Sequence, residues 1–387
     1  MMMRSFLPIG QGACYLERFE IKDDEGQNIT ILYDCGSSTS LKLLENCLNE
    51  RIKDGSTIHA VFISHFDEDH INGLPYIIKN YKVRNLFVPL ITEEELCCLK
   101  LACIAGLSFS SDKRFFKTFF DNYMGSRAPV PEDTRVYYVQ EYLSEKNLYD
   151  LPESRRNNGD RIIRSGENAA RRLLPLAEDD LTNDWFYIPY NFRQEERHNA
   201  LMEELQKALD MKLTLGEILR LVKNDSAYIV EIKQAYCRIP GSLNTNSMVL
   251  FSGPKDDRAG QVKLDAYRSR RFCCCANGCC YKYVANPGCL YLGDYDASGK
   301  YKWDELTKAF SEYWDSIGCI QVPHHGSKNN YNEELTADRS RYYVISAGIQ
   351  NQYRHPSDNV VKDMLFKGNS FSVVTERKDS EACFIVK

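Results

Sequence analysis

His65, Asp67, Asp69 and His70 place four metal-binding side chains within six residues, in the segment AVFISHFDEDHINGL. Imidazole and carboxylate are both good ligands for first-row divalent ions, and added carboxylate shifts the preference toward harder ions. A solvated acidic turn is the alternative, but such turns rarely carry a histidine at each end. The remaining histidines strengthen the metal reading. The chain has only seven, and five of them lie in three short patches: His65 with His70, the pair His324-His325, and His355. His59 and His198 stand apart.

Each patch follows an apolar, β-prone run that must position it. Ala60–Ser64 leads into His65, and Cys319-Ile320-Gln321-Val322 ends in Pro323-His324-His325-Gly326-Ser327. Tyr342–Ser346 leads through Gly348 to His355-Pro356, and Cys289–Leu292 ends in Gly293-Asp294. Several strand ends converging on one edge of a sheet assemble a site from distant sequence. Further strands are expected at 13–17, 29–33, 85–90 and 247–251, with 371–374 and 383–386 as a terminal strand pair. Short helices are expected at 41–48 and from Leu74 to Tyr81. Strands alternating with helices suggest a layered fold. From about Ile91 to Arg238 the texture becomes helical and charged, with apolar residues near helical spacing. Thr214 followed by Glu217 reads as a capping box. Pro152 to Arg172 carries Arg155, Arg156, Arg161, Arg164, Arg171 and Arg172, which suits either a solvated linker or a phosphate-binding surface.

Composition sets bounds on partners. At 43% hydrophobic and 27% charged residues, the 387-residue chain can build a packed core. A net charge of −5 excludes nucleic-acid binding through bulk charge, so any such contact needs a local basic groove. No stretch is long and apolar enough to cross a membrane, and MMMRSFLPIGQG lacks the apolar core of a signal peptide. The expectation is a cytoplasmic protein without membrane partners, whose 15 cysteines are reduced thiols or metal ligands rather than disulfides.

Taken in order, the motifs resemble the metallo-β-lactamase fold and, within it, the hydrolase domain of ComEC-type DNA-uptake proteins and their free-standing relatives. Gly10-Gln11-Gly12 looks like the family's N-terminal GQG turn, and Asp34-Cys35-Gly36 like its DxG turn. The hexapeptide from His65 to His70 looks like the HxDxDH variant of the HxHxDH signature. Asn244–Leu250, Gly293-Asp294, His324–Ser327 and the stretch from Ser346 to Pro356 complete the set. The resemblance covers roughly residues 7–90 and 243–387. It implies an α+β fold, an αββα sandwich with a helical insertion. Residues 1–90 and 240–387 would form the catalytic domain, and 91–239 a mainly helical insertion.

The same resemblance implies a site. His65 and Asp67 hold one divalent ion, Asp69 and His70 the second, and Asp294 bridges them. One histidine of the 324–325 pair, His325 by preference, completes the ligands of the second ion, and His324 and His355 act in catalysis beside the scissile phosphate, together with Asp69. Asn246, Ser247, Ser327 and Asn351 contact substrate. Asp34 is expected to brace the loop as a buried hydrogen-bond acceptor. Two departures from the pattern stand out. Asp67 replaces the second histidine of the signature, and the histidine expected before the bridging aspartate is missing. An oxygen-rich site favours Mn²⁺ or Mg²⁺ over Zn²⁺.

The activity implied is metal-dependent hydrolysis of a phosphodiester, most naturally single-stranded nucleic acid, with Zn²⁺ or Mn²⁺ as the two ions. A cyclic nucleotide or other small phosphodiester is the second enzymatic reading. A metal- or nucleotide-binding sensor that recruits a protein partner through the insertion is the reading from another class. Cys273, Cys275, Cys279 and Cys280 form either a structural metal site or a thiol-rich hairpin, because their spacing is no standard zinc knuckle.

Overall fold

The computed structural model describes residues 1–109, 111–125, 129–142, 161–173, 185–193, 196–238, 246–254, 262–264, 283–284 and 286–386. The cysteine cluster at 273–280, Arg155 and Arg156 lie outside the described residues, and so does the side chain of Asn246.

Alternating apolar residues drive two sheets together. The larger has ten strands, in the order Tyr283–Val284, Val262–Leu264, Ala382–Val386, Met2–Phe6, Gly12–Lys22, Asn28–Ser37, Ala60–Phe62, Asn85–Pro89, Arg135–Val139 and Ile162–Ile163. The smaller has six: Trp185–Arg193, Asn246–Pro254, Gly288–Tyr291, Ile317–Gln321, Tyr342–Ser346 and Ser370–Val374. Phe6, Tyr15, Tyr33, Phe62 and Phe87 from the first sheet meet Met248, Leu250, Tyr291 and Val344 from the second in one buried layer. Burying each such side chain contributes about 1.5–3 kcal/mol.

Helices cover both outer faces. Leu44 and Leu48 of helix Leu41–Asn49, Leu74 and Ile77 of Leu74–Asn80, and Phe116 and Phe120 of Lys113–Asp121 pack on the first sheet. Leu306 of Lys300–Ala309 and Val360 and Met364 of Asp358–Lys367 pack on the second. The architecture is therefore an αββα sandwich.

One polar cluster crosses the sandwich centre. Arg4 Nε donates to Glu17 Oε1 at 2.7 Å, with both side chains buried. Tyr187 Oη and Ser252 Oγ, from the opposite sheet, donate to Glu17 Oε2 at 2.6 and 2.7 Å, and Tyr291 Oη donates to Oε1 at 2.8 Å. A buried charge is tolerated only when paired and hydrogen-bonded, as this one is.

Two segments depart from the sequence expectation. The stretch 91–239 supplies sheet strands as well as helices. Arg135–Val139 runs parallel to Asn85–Pro89, and Trp185–Arg193 pairs antiparallel with Asn246–Pro254. Its helices Glu196–Leu209, Leu215–Asn224 and Ile229–Arg238 gather on Glu93–Ala105. That last helix is apolar on two faces: Leu96 and Leu99 turn to the sheet layer, while Leu101 and Ala102 turn to the helical cluster. The capping box at Thr214 forms, with Thr214 N donating to Glu217 Oε2 and Glu217 N to Thr214 Oγ1. The last two strands are not a pair. Ser370–Val374 runs parallel to Tyr342–Ser346 in the second sheet, and Ala382–Val386 runs antiparallel to Met2–Phe6 in the first.

Candidate metal centre

Strand Ala60–Phe62 leads through Ser64 into His65, and a single turn of helix, Glu68–Ile71, carries Asp69 and His70 back under His65. Gly36 makes this return possible. A Cβ there would lie 2.4 Å from both the Asp69 carbonyl carbon and the His70 nitrogen, so the strand end fits against the loop only without a side chain. From the second sheet, the turn after Gly288–Tyr291 delivers Asp294. Gly293 adopts φ 54° there, and Gln321 fixes the turn by accepting from Leu292 N and Gly293 N, each at 2.7 Å. The turn after Ile317–Gln321 delivers His324 and His325, both in left-handed backbone at φ 47° and 55°.

Hydrogen bonds behind the histidines decide their tautomers. Asp34, wholly buried, accepts from Ser64 N at 2.7 Å, from Ser64 Oγ at 2.7 Å and from His70 Nδ1 at 2.8 Å. A hydroxyl has one proton, and Ser64 gives it to Asp34, so Ser64 Oγ accepts from His65 Nδ1 at 2.8 Å. His325 Nδ1 donates to the Ser346 carbonyl at 2.8 Å. All three imidazoles therefore carry a proton on Nδ1 and turn Nε2 inward, so that Nε2 is the nitrogen left to bind a metal, which is the arrangement metal-binding histidines need.

The inward atoms converge. His65 Nε2 lies 3.5 Å from Asp67 Oδ2 and 3.6 Å from Asp294 Oδ2. His70 Nε2 lies 3.1 Å from Asp294 Oδ1, and His325 Nε2 lies 3.2 Å from Asp69 Oδ2. Two ligand groups result, His65 with His70 and Asp294, and Asp69 with His70 and His325. His65 Nε2, His70 Nε2 and Asp294 Oδ1 are buried without a hydrogen-bond partner. Lone pairs held face to face at such distances are costly unless a cation lies between them. The donor set fits divalent metal.

Charges follow the crowding. Burial disfavours charge on His70, yet Asp294 and Asp34 outweigh it and raise its pKa well above the ordinary range. His325 is raised against burial by Asp69 and Asp294. Asp294 is held well below the carboxylate range, against its burial, by His324, His70 and His65. Burial, followed by the charges of His324 and His325, lowers His355 to about 4.

The centre opens into a cleft of about 890 Å³. Asp67, Asp69, Asp294, His324, His325, Ser327 and His355 line it. His324 Nε2 lies 3.7 Å from Asp294 Oδ2, the oxygen that also faces His65. Other expected substrate contacts sit differently. Ser247 is buried and donates to the Leu292 carbonyl at 3.2 Å. Asn351 uses its amide on its own loop, donating to the Gly348 and His355 carbonyls at 2.7 and 2.6 Å. Sequence reasoning missed Ser64, Gln321 and Gln11, and it missed Leu107 and Ser108, which bring the corner between two insertion helices to the cleft wall. A polar residue inside an apolar strand, as at Gln321, was the available signal.

With the site assembled, comparisons with known proteins can be placed on it. Residues 9–95 match the family model of the Metallo-beta-lactamase superfamily. The match spans the GQG turn, Asp34 and the ligand-rich loop, and the sandwich around them is a metallo-β-lactamase fold. No curated protein matches the chain by sequence. A crystal structure of a long form RNase Z from yeast is similar at a TM-score of 0.36 and 10% sequence identity. The alignment covers 89% of this chain and 36% of that protein, so this chain spans about a third of its length. A likeness at that level carries no weight for function. No helix among the described residues is long and apolar enough to cross a membrane.

Proposed function

We propose that the protein is a metal-dependent phosphodiesterase acting on single-stranded nucleic acid through a dinuclear centre. The observation that carries this reading is the position of Asp294. Its Oδ1 faces His70 and its Oδ2 faces His65 and His324, so one carboxylate reaches the histidines at both ends of the ligand-rich loop, while His70 is common to the two ligand groups. His65, Asp67 and Asp294 would hold one ion, and Asp69, His70, His325 and Asp294 the other. His324 shares the Oδ2 side of Asp294 with His65. When bound, two divalent cations supply Lewis acidity and an activated water.

The chain's own residues do the positioning. Asp34 and Ser64 fix the imidazole tautomers, Gln321 fixes the Asp294 turn, and His355, whose pKa burial lowers, lines the cleft as a neutral imidazole at neutral pH. Lys328 and Arg354, exposed on the cleft rim, suit a polyanionic substrate. The ComEC-type resemblance, with its HHGS and His-Pro motifs, favours a phosphodiester over other hydrolysable bonds. The test is degradation of end-labelled single-stranded DNA by purified protein with Mn²⁺, beside an Asp69→Ala/His70→Ala variant. Cleavage by the wild type alone supports the reading; no cleavage by protein shown to be metal-loaded overturns it.

A further inference from the structure

The stretch Gly348–Ser357 forms a pinned loop on the cleft rim. Asn351 Nδ2 ties the Gly348 and His355 carbonyls, His355 N donates to Asn351 Oδ1 at 2.8 Å, and Arg354 N donates to the Asn351 carbonyl at 3.2 Å. Ser357 N anchors the far end on the Gly326 carbonyl at 3.0 Å. Arg354 sits at φ 56°, a left-handed kink that this bracing must hold. The loop presents Tyr353 with 64% of its surface exposed, although large aromatic side chains usually bury most of their area. Its ring lies nearly parallel to the His355 imidazole, with an interplanar angle of 19° and centroids 5.8 Å apart. His355 in turn lies 5.8 Å from His324, whose Nε2 faces Asp294. The rings thus form a continuous path from the rim to the ligand carboxylate.

Two cations flank this path. Lys328 and Arg354 line the same cleft, are exposed, and form no ion pair among the described residues. Glu68 and Asp358 also line it, so Lys328 and Arg354 are the cationic groups available there to a polyanion. An exposed aromatic ring beside a cationic track is how single strands are bound without sequence preference, the ring taking a base and the cations its phosphates. Duplex bases, stacked on one another, have no free face to offer. Because the loop is already braced, little ordering is required on binding.

We propose that Tyr353 is a stacking platform for an unpaired nucleobase next to the scissile phosphate, with Arg354 and Lys328 contacting the flanking phosphates. This subsite rests on the phosphodiesterase reading for its orientation, but its existence is testable by binding alone. The probe is a short single-stranded oligodeoxynucleotide bearing 2-aminopurine, titrated into the full-length protein in EDTA at low salt, where nothing is hydrolysed. Wild type should quench the fluorophore. Tyr353→Ala should lose the quenching and bind about 5- to 150-fold more weakly, while Tyr353→Trp restores both. A strand made abasic at the labelled position should bind wild type and Tyr353→Ala alike. Lys328→Gln and Arg354→Gln should each lower the log–log salt slope by about 0.7. Because Tyr353 is largely exposed, its variants should melt with the wild type. Equal binding and quenching by Tyr353→Ala, or no binding by wild type, overturns the proposal. Quenching that survives while Mn²⁺-dependent cleavage fails sinks the phosphodiesterase reading and leaves the strand-binding subsite standing.

Discussion

Asp34 touches no substrate in this arrangement, yet replacing it should disable the metal centre. In Asp34→Asn the retained oxygen still accepts from Ser64 N, but an amide NH₂ now occupies the place of Oδ2. There it meets two donors, Ser64 Oγ–H and His70 Nδ1–H, at the 2.7 and 2.8 Å now spanned by charge-assisted bonds. Ser64 can rotate and accept from the amide, trading a charged bond for a neutral one at a loss of about 1 kcal/mol. His70 has no such escape. Its bond of about 1.5–3 kcal/mol is lost, unless its proton moves to Nε2 and leaves Nδ1 to accept. That tautomer points a proton at Asp294 and removes the lone pair a metal requires. The fold should therefore lose about 3 kcal/mol, read by urea unfolding in EDTA, and Mn²⁺ affinity should fall about 10- to 100-fold, read by competition with a chromophoric chelator. If Asp34→Asn binds Mn²⁺ as wild type does while His70→Ala has lost the site, the tautomer argument is refuted.

Other consequences are as direct. Asp294→Ala should lower the metal content of the loaded protein, because that carboxylate faces both His65 and His70; elemental analysis after dialysis showing two retained ions would count against the bridge. In EDTA the protein should be most stable at mildly acidic pH. The raised pKa values of His70 and His325 give stability that is full below about 6.5 and lost as pH rises through their folded values, while the depressed Asp69 and Asp294 lose theirs only at low pH. A melting temperature flat from pH 6 to 8.5, or a slope unchanged in His325→Gln, would contradict this. Gly36→Ala should cost about 1–3 kcal/mol by overpacking and reduce metal binding with it, since the added methyl meets backbone of Asp69 and His70 rather than a movable side chain. Glu17→Gln should cost about 3–5 kcal/mol by stranding the buried Arg4 guanidinium, measured as a shift in the urea midpoint.

The ligand-rich loop was legible in the sequence because its geometry is local. One strand end and one helical turn suffice to bring His65, Asp67, Asp69 and His70 together, and residue spacing alone reports that. The strand-end positions of Asp294 and His325 were legible for the same reason, since each follows closely on an apolar run, whereas His355 lies in the loop beyond Ser346. What those residues face was not. The Asp34–Ser64–His70 relay joins strand ends that only sheet pairing brings into register, and Gln321 reads as one polar residue in a strand until its amide is seen to hold the Asp294 turn. Between Ile91 and Arg238, helical periodicity was a fair guide to the helices but silent about strands 135–139 and 185–193. Their pairing is decided by partners far along the chain, and short apolar runs carry no mark of which sheet will take them. The two terminal strands went to opposite sheets for that reason. Residue type and spacing thus determined which donor groups the candidate centre contains. Tertiary packing decided which nitrogen of each histidine turns inward, which histidine the two ligand groups share, and which aromatic ring stands at the mouth of the cleft, because those depend on long-range contacts that only the folded sandwich brings together.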